Sequence, residues 1–158
     1  MPEGKGREQP QAADARPTHR RARKYFTVDE ANALLPILER QLCDLQELYR
    51  GAREKYTEIR KLQAVGYKED GTLIMEYDYR QAKKAFDEMV DRMNALIEDI
   101  NRPGCLLKEI ETGLVDFPSI IQGKEVLLCW RLGEPMVTHF HSFEEGYTGR
   151  RPLFPDER

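Results

Sequence analysis

Residues 104–151 read GCLLKEIETGLVDFPSIIQGKEVLLCWRLGEPMVTHFHSFEEGYTGRR. This stretch holds the only tryptophan of the chain, two of its three cysteines and two of its three histidines. Short runs of branched and aromatic residues alternate there with turn sequences at Thr112-Gly113, Gln122-Gly123 and Gly133-Glu134-Pro135. Because short connections join antiparallel neighbours, the pattern predicts a three- or four-stranded antiparallel meander over residues 105–142. Its predicted strands are 105–110, 114–121, 124–132 and 135–141.

The third predicted strand has two partly apolar faces. Alternation directs Val126, Leu128, Trp130 and Leu132 to one face and Leu127, Cys129 and Arg131 to the other. We therefore expect a central strand whose Trp130 face is covered by the helices that precede it.

Residues 27–102 carry a helical pattern. Thr27 and Glu30 have the spacing of a capping box, which predicts a helix start. Apolar residues then recur in steps of three and four, the heptad spacing of a helix seam, at Ala31, Leu35, Leu38, Leu42, Leu45, Tyr49, Ala52, Tyr56 and Ile59. Pro36 lies within this series and predicts a kink or a break, because proline lacks the N–H that would reach Asn32.

A second heptad series follows the turn sequence of residues 66–71 and ends before Pro103-Gly104; its members are Tyr79, Ala82, Phe86, Met89, Met93, Leu96 and Ile100. Two long helices joined by a short loop pack antiparallel. The sequence thus predicts an α+β domain over 25–152, with a coiled-coil-like helical hairpin (27–102), the meander (105–142) and a C-terminal loop (143–152). A basic tail (1–24), expected to be disordered, precedes the domain, and a short tail (153–158) follows it.

Composition narrows the function classes. The chain has 25 basic and 28 acidic residues, a net charge of -3 and a pI near 5.7, which provide no overall positive field for nucleic acid. The basic run 19–24 is the one segment that could contact nucleic acid. No apolar run approaches the roughly 18 residues of a membrane-spanning helix, and three scattered cysteines favour a reducing compartment. We expect a cytoplasmic protein without a membrane partner.

Several motifs resemble a known family. These are Phe-Thr-Val-Asp-Glu-Ala-Asn-Ala-Leu-Leu-Pro (26–36), Gly-Leu-Val-Asp-Phe-Pro (113–118), Leu-Cys-Trp-Arg-Leu-Gly-Glu-Pro (128–135), Phe-His (140–141) and Glu-Gly-Tyr-Thr-Gly-Arg (145–150). Together they are similar to the bacterial domain of unknown function 2203 family over about residues 26–152. The resemblance implies no activity, since none is assigned to the family. Members usually place an aromatic pair before the histidine that matches His141, whereas this chain has His139 there.

The candidate site residues are His139, His141, Asp116, Glu144 and Glu145. Two histidines at positions i and i+2 of a strand project from one face, so both imidazoles can reach one divalent ion. A carboxylate from Asp116, Glu144 or Glu145 would complete a two-histidine, one-carboxylate set that zinc, iron or manganese accepts. The competing interpretation is that these side chains make only structural hydrogen bonds or are simply exposed to solvent.

Two further interpretations concern the same region. Asp116, Arg131 and Arg150 could form an ion-pair network that ties the final loop to the sheet, and the two arginines could instead bind an anionic ligand. Cys129 could serve as a nucleophile with His141 as its base, although a buried free cysteine ordinarily behaves as a small hydrophobe.

The leading functional prediction is a non-catalytic interaction or accessory protein that uses the hairpin for self-association or for a partner helix. Exposed apolar residues near the hairpin tip would favour it. The alternative is a divalent-metal-binding protein or a small metal-dependent enzyme, with its site around His141, His139, Asp116 and Glu144 or Glu145.

Overall fold

The computed structural model describes residues 23–154, so the expectations for residues 1–22 and 155–158 lie outside the described part. Two long helices and a five-stranded antiparallel sheet form an α+β fold, which confirms the predicted class. The elements are α1 (Val28–Ala64), α2 (Glu76–Asn101), β1 (Leu106–Glu109), β2 (Leu114–Ile121), β3 (Lys124–Arg131), β4 (His139–His141) and β5 (Arg151–Pro152). A short 3₁₀ turn, Tyr147–Gly149, precedes β5.

Helix α1 begins with the predicted capping box. The Thr27 hydroxyl accepts from the Glu30 N–H at 3.1 Å, and the Glu30 carboxylate accepts from the Thr27 N–H at 3.4 Å. A kink or a break was expected at Pro36. The helix continues through this residue, so the break is wrong and the kink stays a prediction. Ala31 and Leu35, before the proline, belong to the same buried cluster as Leu38 and Leu42. Tertiary packing on both sides of Pro36 therefore offsets the missing backbone hydrogen bond.

The two helices pack against each other as a hairpin whose burial decreases toward the tip. Leu42 and Leu45 are fully buried near the sheet, whereas Tyr56, farther along the same seam, is 53% exposed. Beyond it, the turn between the helices and the first turn of α2 carry four exposed apolar residues, namely Val65, Tyr67, Ile74 and Tyr77. The base of the hairpin is thus part of the core, and its outer half has no covering layer in the described chain.

The sheet has the strand order β1-β2-β3-β4-β5, with every neighbouring pair antiparallel. It differs from the predicted meander in two places. Residues 135–138 of the fourth predicted strand are not in strand conformation, and β5 lies in the segment expected to be loop. Residues 143–150 have the composition of a turn, and β5 has only two residues, so the sequence pattern does not predict this strand.

The helix-facing side of the sheet forms the core with the hairpin base. Val115, Phe117, Leu128 and Trp130 are fully buried there, as expected from the alternation in β3. The chain before α1 runs beside β2, where the Phe26 N–H donates to the Pro118 carbonyl at 2.7 Å. Because β1 pairs only with residues 114–116 of β2, this contact covers the edge that β1 leaves open.

No helix within residues 23–154 is long and apolar enough to cross a membrane.

Candidate functional site

The side of the sheet that faces away from the helices brings together polar side chains from β2, β3 and β4. Gln122 and Gly123, with φ of 51° and 76°, form the two-residue turn between β2 and β3. Both values lie in the left-handed region typical of a tight hairpin turn. This turn fixes the register that pairs Asp116 with Cys129 across the hairpin. Their side chains therefore lie on the same face of the sheet.

His141, on β4, completes a cluster with these two residues. Its Nε2 lies 3.2 Å from Oδ1 of Asp116. One ligand atom from each of Asp116, Cys129 and His141 lies within 4.8 Å of the others. The three residues are 2%, 1% and 3% exposed, so the cluster is shielded from bulk water.

The backbone beside His141 fixes the tautomer of its neutral ring. Nδ1 lies 2.7 Å from the Ser142 carbonyl oxygen, which can only accept a hydrogen bond, so Nδ1 must carry the proton. In the neutral ring Nε2 is then an unprotonated acceptor directed at Asp116. Three states fit this arrangement: a protonated Asp116, a buried imidazolium–carboxylate pair, or a cation between the two groups.

Burial raises the pKa values of the acidic members of the cluster. Loss of solvent raises the pKa of Asp116 above its usual value, and the neighbouring His141 partly opposes this shift. Burial, followed by the charge of Asp116, raises the pKa of the Cys129 thiol to about 12. At neutral pH the Cys129 thiol therefore keeps its proton unless a cation displaces it, and Asp116 takes up a proton more readily than an exposed aspartate does.

A cavity of about 260 Å³ opens beside the cluster, and Asp116 and His141 form part of its wall. The C-terminal loop closes its other side, with Phe143, Glu145, Gly146 and Tyr147 as lining residues. Lys108 of β1 lies at the same cavity. The outer face of the sheet is thus covered by the chain's own loop, which leaves a pocket next to the buried cluster.

The structure separates the predicted metal-site residues into two groups. Asp116 and His141 are adjacent, and Glu145 lines the cavity beside them. His139 stands across from Cys129, but its Nδ1 is 2.8 Å from the Thr138 hydroxyl, and it does not join the cluster of ligand atoms. Glu144 is exposed to solvent and contributes no atom to that cluster.

The two candidate arginines contact the loop by different routes. Arg150 Nη1 donates to Oε1 of Glu134 at 2.9 Å, and its guanidinium lies 4.4 Å from the centre of the Tyr147 ring. The Arg131 guanidinium donates to the Tyr147 hydroxyl at 3.5 Å, and the Arg131 backbone N–H donates to Oε1 of Glu134 at 2.9 Å. Arg150 therefore pairs with Glu134 where the sequence suggested Asp116, and this ion pair connects the loop to the turn after β3.

Cys129 is the cluster member that the metal-site interpretation of the sequence left out. The sequence does contain a signal for it, because a two-residue turn at Gln122-Gly123 places residues 116 and 129 opposite each other. Reading that register would have added Cys129 to the candidate ligands. Lys108 carries no such signal, since its place at the cavity depends on how β1 and the final loop fold together.

Comparison with known proteins gives one finding. The family described as "Uncharacterized conserved protein (DUF2203)" matches residues 24–153. Searches of curated proteins and of solved structures return no significant match. With the family match extending over both helices and all five strands, the chain belongs to the DUF2203 family, as its motifs predicted.

Proposed function

We propose that this protein binds a single divalent metal ion, with Asp116, Cys129 and His141 as its three protein ligands. The observation that carries the proposal is the orientation of the His141 ring. Its Nδ1 lies against a backbone carbonyl, so the N–H of the neutral ring donates there, and its Nε2 lies 3.2 Å from Asp116 and within 4.8 Å of the Cys129 sulfur. Metal-binding histidines characteristically donate the N–H of their second ring nitrogen to a carbonyl or carboxylate oxygen in this way.

The distances also suit a tetrahedral ion. Bonds of about 2.0 to 2.1 Å from zinc to oxygen and nitrogen place two tetrahedral ligands about 3.3 Å apart. The 3.2 Å between Asp116 Oδ1 and His141 Nε2 agrees with that separation. An ion bound there would replace the protons that burial favours on Asp116 and Cys129, so it would remove the cost of their ionisation.

The donor set favours zinc over the other two metals considered. Manganese prefers carboxylate and water ligands and gains little from a thiolate. The usual two-histidine, one-carboxylate site of iron would need His139, which contributes no atom to the cluster of ligand atoms. A thiolate, an imidazole and a carboxylate together are a combination that zinc accepts.

Elemental analysis of untagged protein, purified without chelators and then loaded with zinc, tests the proposal. We expect close to one zinc per chain in the wild type. His141→Ala should abolish it, whereas His139→Ala, which removes an equally placed histidine outside the cluster, should keep it. Zinc well below one per chain in the loaded wild type, or equal retention in both variants, would contradict the proposal.

A second candidate function is self-association through the hairpin. It is supported by the exposed apolar residues of the tip, where Tyr67 and Tyr77 are 64% and 74% exposed. A groove of about 440 Å³ between the helices, lined by Tyr49, Tyr56, Phe86 and Met93 among others, continues this surface toward the base. A second copy of the hairpin would cover both features in a four-helix bundle.

Sedimentation velocity over a range of concentrations tests this second candidate. We expect the mass of the wild type to rise with concentration and the double variant Tyr67→Ser/Tyr77→Ser to remain at the monomer mass. Ile37→Ser is the matched control, because Ile37 is a 59% exposed apolar residue of α1 far from the tip. A wild type that stays monomeric at all concentrations would rule out this role.

A further inference from the structure

We propose that residues 142–150 form a lid over the metal site, and that an ion enters or leaves only when the ion pair between Arg150 and Glu134 opens. The lid is the segment between β4, which ends at His141, and β5, which begins at Arg151. This inference rests on the metal binding proposed above. It adds the path that the ion takes and the contact that controls this path.

The proposed ligands are enclosed on both sides of the sheet. Asp116, Cys129 and His141 are at most 3% exposed, and the helix-facing side of their strands is the packed core. On the outer side, a cavity walled in part by the lid reaches Asp116 and His141 but not Cys129. Arg150 of the lid lies beside Cys129, where its charge acts on the thiol against the larger effect of burial. An ion that is to contact all three ligands must therefore displace part of the lid.

The backbone of the lid is not hydrogen-bonded to the sheet. Among the described residues, the bonds that its N–H groups donate end within residues 142–150. The Glu145 N–H donates to the Ser142 hydroxyl at 3.1 Å, and the Gly149 N–H donates to the Gly146 carbonyl at 2.9 Å. Both ends of the lid are fixed, because β5 pairs with β4. A segment of this kind can open locally while the strands stay folded.

The ion pair between Arg150 and Glu134 fastens the lid to the turn after β3. Arg150 Nη1 donates to Oε1 of Glu134 at 2.9 Å, and the two side chains are only 21% and 23% exposed. The same oxygen accepts the Arg131 backbone N–H at 2.9 Å, which holds Glu134 at the end of β3. Because hydrogen bonds between charged groups are stronger than neutral ones, loss of this pair should favour the open lid.

Two cysteines report on the lid and on the whole fold separately. Cys129 lies on the outer side of the sheet, beneath the lid, whereas Cys105 is fully buried in the core with the helices. Opening of the lid exposes Cys129 alone, while global unfolding exposes both thiols. Labelling with iodoacetamide at pH 8, followed by peptide mass spectrometry in a Cys43→Ser background, measures both rates in the same molecule.

We expect Glu134→Gln and Arg150→Gln each to speed the labelling of Cys129 about tenfold or more and to leave Cys105 unchanged. This is the effect expected from losing a hydrogen bond between charged groups. A change in the thiol alone would act differently in the two variants. Burial is the main cause of the raised pKa of Cys129, but Arg150 lowers this pKa and Glu134 raises it. Without lid opening, Arg150→Gln would slow the labelling and Glu134→Gln would speed it.

Zinc release gives a second readout. When excess chelator is added to zinc-loaded protein, both variants should release the ion about tenfold or more faster than the wild type. Zinc bound at saturation should stay close to one per chain. Arg151→Gln is the matched control, because it removes an ion pair with Glu145 whose side chains are 62% and 38% exposed. It should change either rate by less than about threefold.

The outcomes separate the lid from metal binding itself. Cys129 labelling that is unchanged in both variants, or changed in opposite directions, would overturn the lid. Equal acceleration of Cys129 and Cys105 would show that the ion pair stabilises the whole fold, which also overturns the proposal. If the wild type holds one zinc per chain and both variants release it at the wild-type rate, the lid is wrong and the metal site stands. A wild type that binds no zinc overturns the metal site, and with it the role of the lid in metal entry.

Discussion

Asp116 is a buried carboxyl group whose stability effect depends on whether it is ionised. Burial raises its pKa above 3.8, the usual value. A carboxyl group with a raised pKa stabilises the fold fully below its unfolded-state pKa, and this contribution is lost as pH rises through the folded-state pKa. Replacing it by a neutral amide should remove that loss. The introduced amide can also donate to the unprotonated Nε2 of His141.

We therefore expect Asp116→Asn, without metal, to be at least as stable as the wild type at pH 7, with a difference that narrows toward pH 4. Urea unfolding in the presence of chelator measures this difference. With zinc added, the wild type should be the more stable protein, because the amide of the variant replaces an anionic ligand. The exposed Asp87→Asn variant is the control and should change stability by less than about 0.5 kcal/mol at either pH. A large loss of stability in chelator-treated Asp116→Asn would show that the ionised carboxylate is needed for folding.

The three cysteines provide a second prediction at this scale. Cys43 is exposed, while burial raises the pKa values of Cys105 and Cys129 to about 11 and about 12. The reactivity of a cysteine is proportional to the fraction present as thiolate, which falls about tenfold for each unit by which the pKa rises. Titration with Ellman's reagent at pH 8 should thus detect one fast thiol in the native protein, with the others at least about 100-fold slower, and three in guanidinium. Cys43→Ser should abolish the fast phase; if a fast phase remains, a buried cysteine is accessible.

Residue types and spacing were sufficient to select Asp116 and His141 as site candidates, but they also selected His139 and Glu144. The i and i+2 spacing correctly describes two side chains on one face of a strand. It does not describe rotamers, and His139 turns to the Thr138 hydroxyl. Which of two equivalent histidines joins a site depends on side-chain contacts that periodicity cannot specify.

At the scale of elements, β4 is the strand that carries His141, and it is short. A hydrogen bond links the segment before β4 to α1: the Val137 N–H donates to Oδ1 of Asn32 at 2.7 Å. Val137 is only 1% exposed, so its N–H has no access to bulk water. Asn32 thus helps to position the strand that presents His141.

Asn32→Ala should destabilise the protein by about 1 to 3 kcal/mol, the cost of leaving a buried donor unsatisfied. Urea unfolding measures the loss as a lower midpoint with an unchanged slope. Asn32→Asp keeps an acceptor oxygen at the same position and should lose less. Equal losses in the two variants would show that the hydrogen bond to Val137 contributes little.

The elements themselves were largely predictable because their signals are local. The capping box of α1, the heptad spacing of both helices and the turn before β3 each depend on residues close in sequence. The continuity of α1 through Pro36 and the pairing of β5 with β4 depend instead on distant partners. Local rules predicted a kink or a break at Pro36 and a loop over residues 143–152. Tertiary packing keeps the helix continuous at Pro36 and pairs β5 with β4.

At the scale of the whole molecule, the sheet and the hairpin base form one core, and the outer hairpin extends from it. The buried residues of α2, which are Ile100, Met93 and Ala82, lie farther apart toward the tip, and no residue from Glu76 to Gln81 is buried. A helix pair with little buried apolar surface opens locally at lower free energy than a packed core. The stability of this protein should therefore be graded from base to tip.

Hydrogen exchange followed by mass spectrometry tests this gradient. We expect amides of residues 56–82 to exchange at least about tenfold faster than those of β2 and β3, a difference of about 1.4 kcal/mol in opening free energy. The same experiment at high protein concentration adds information, because a second copy packed on the hairpin would slow exchange in the outer half and leave the sheet unchanged. Equal protection of the outer hairpin and the sheet in dilute, monomeric protein would contradict the gradient. Protection that rises with concentration only in residues 56–82 would locate the association surface on the hairpin.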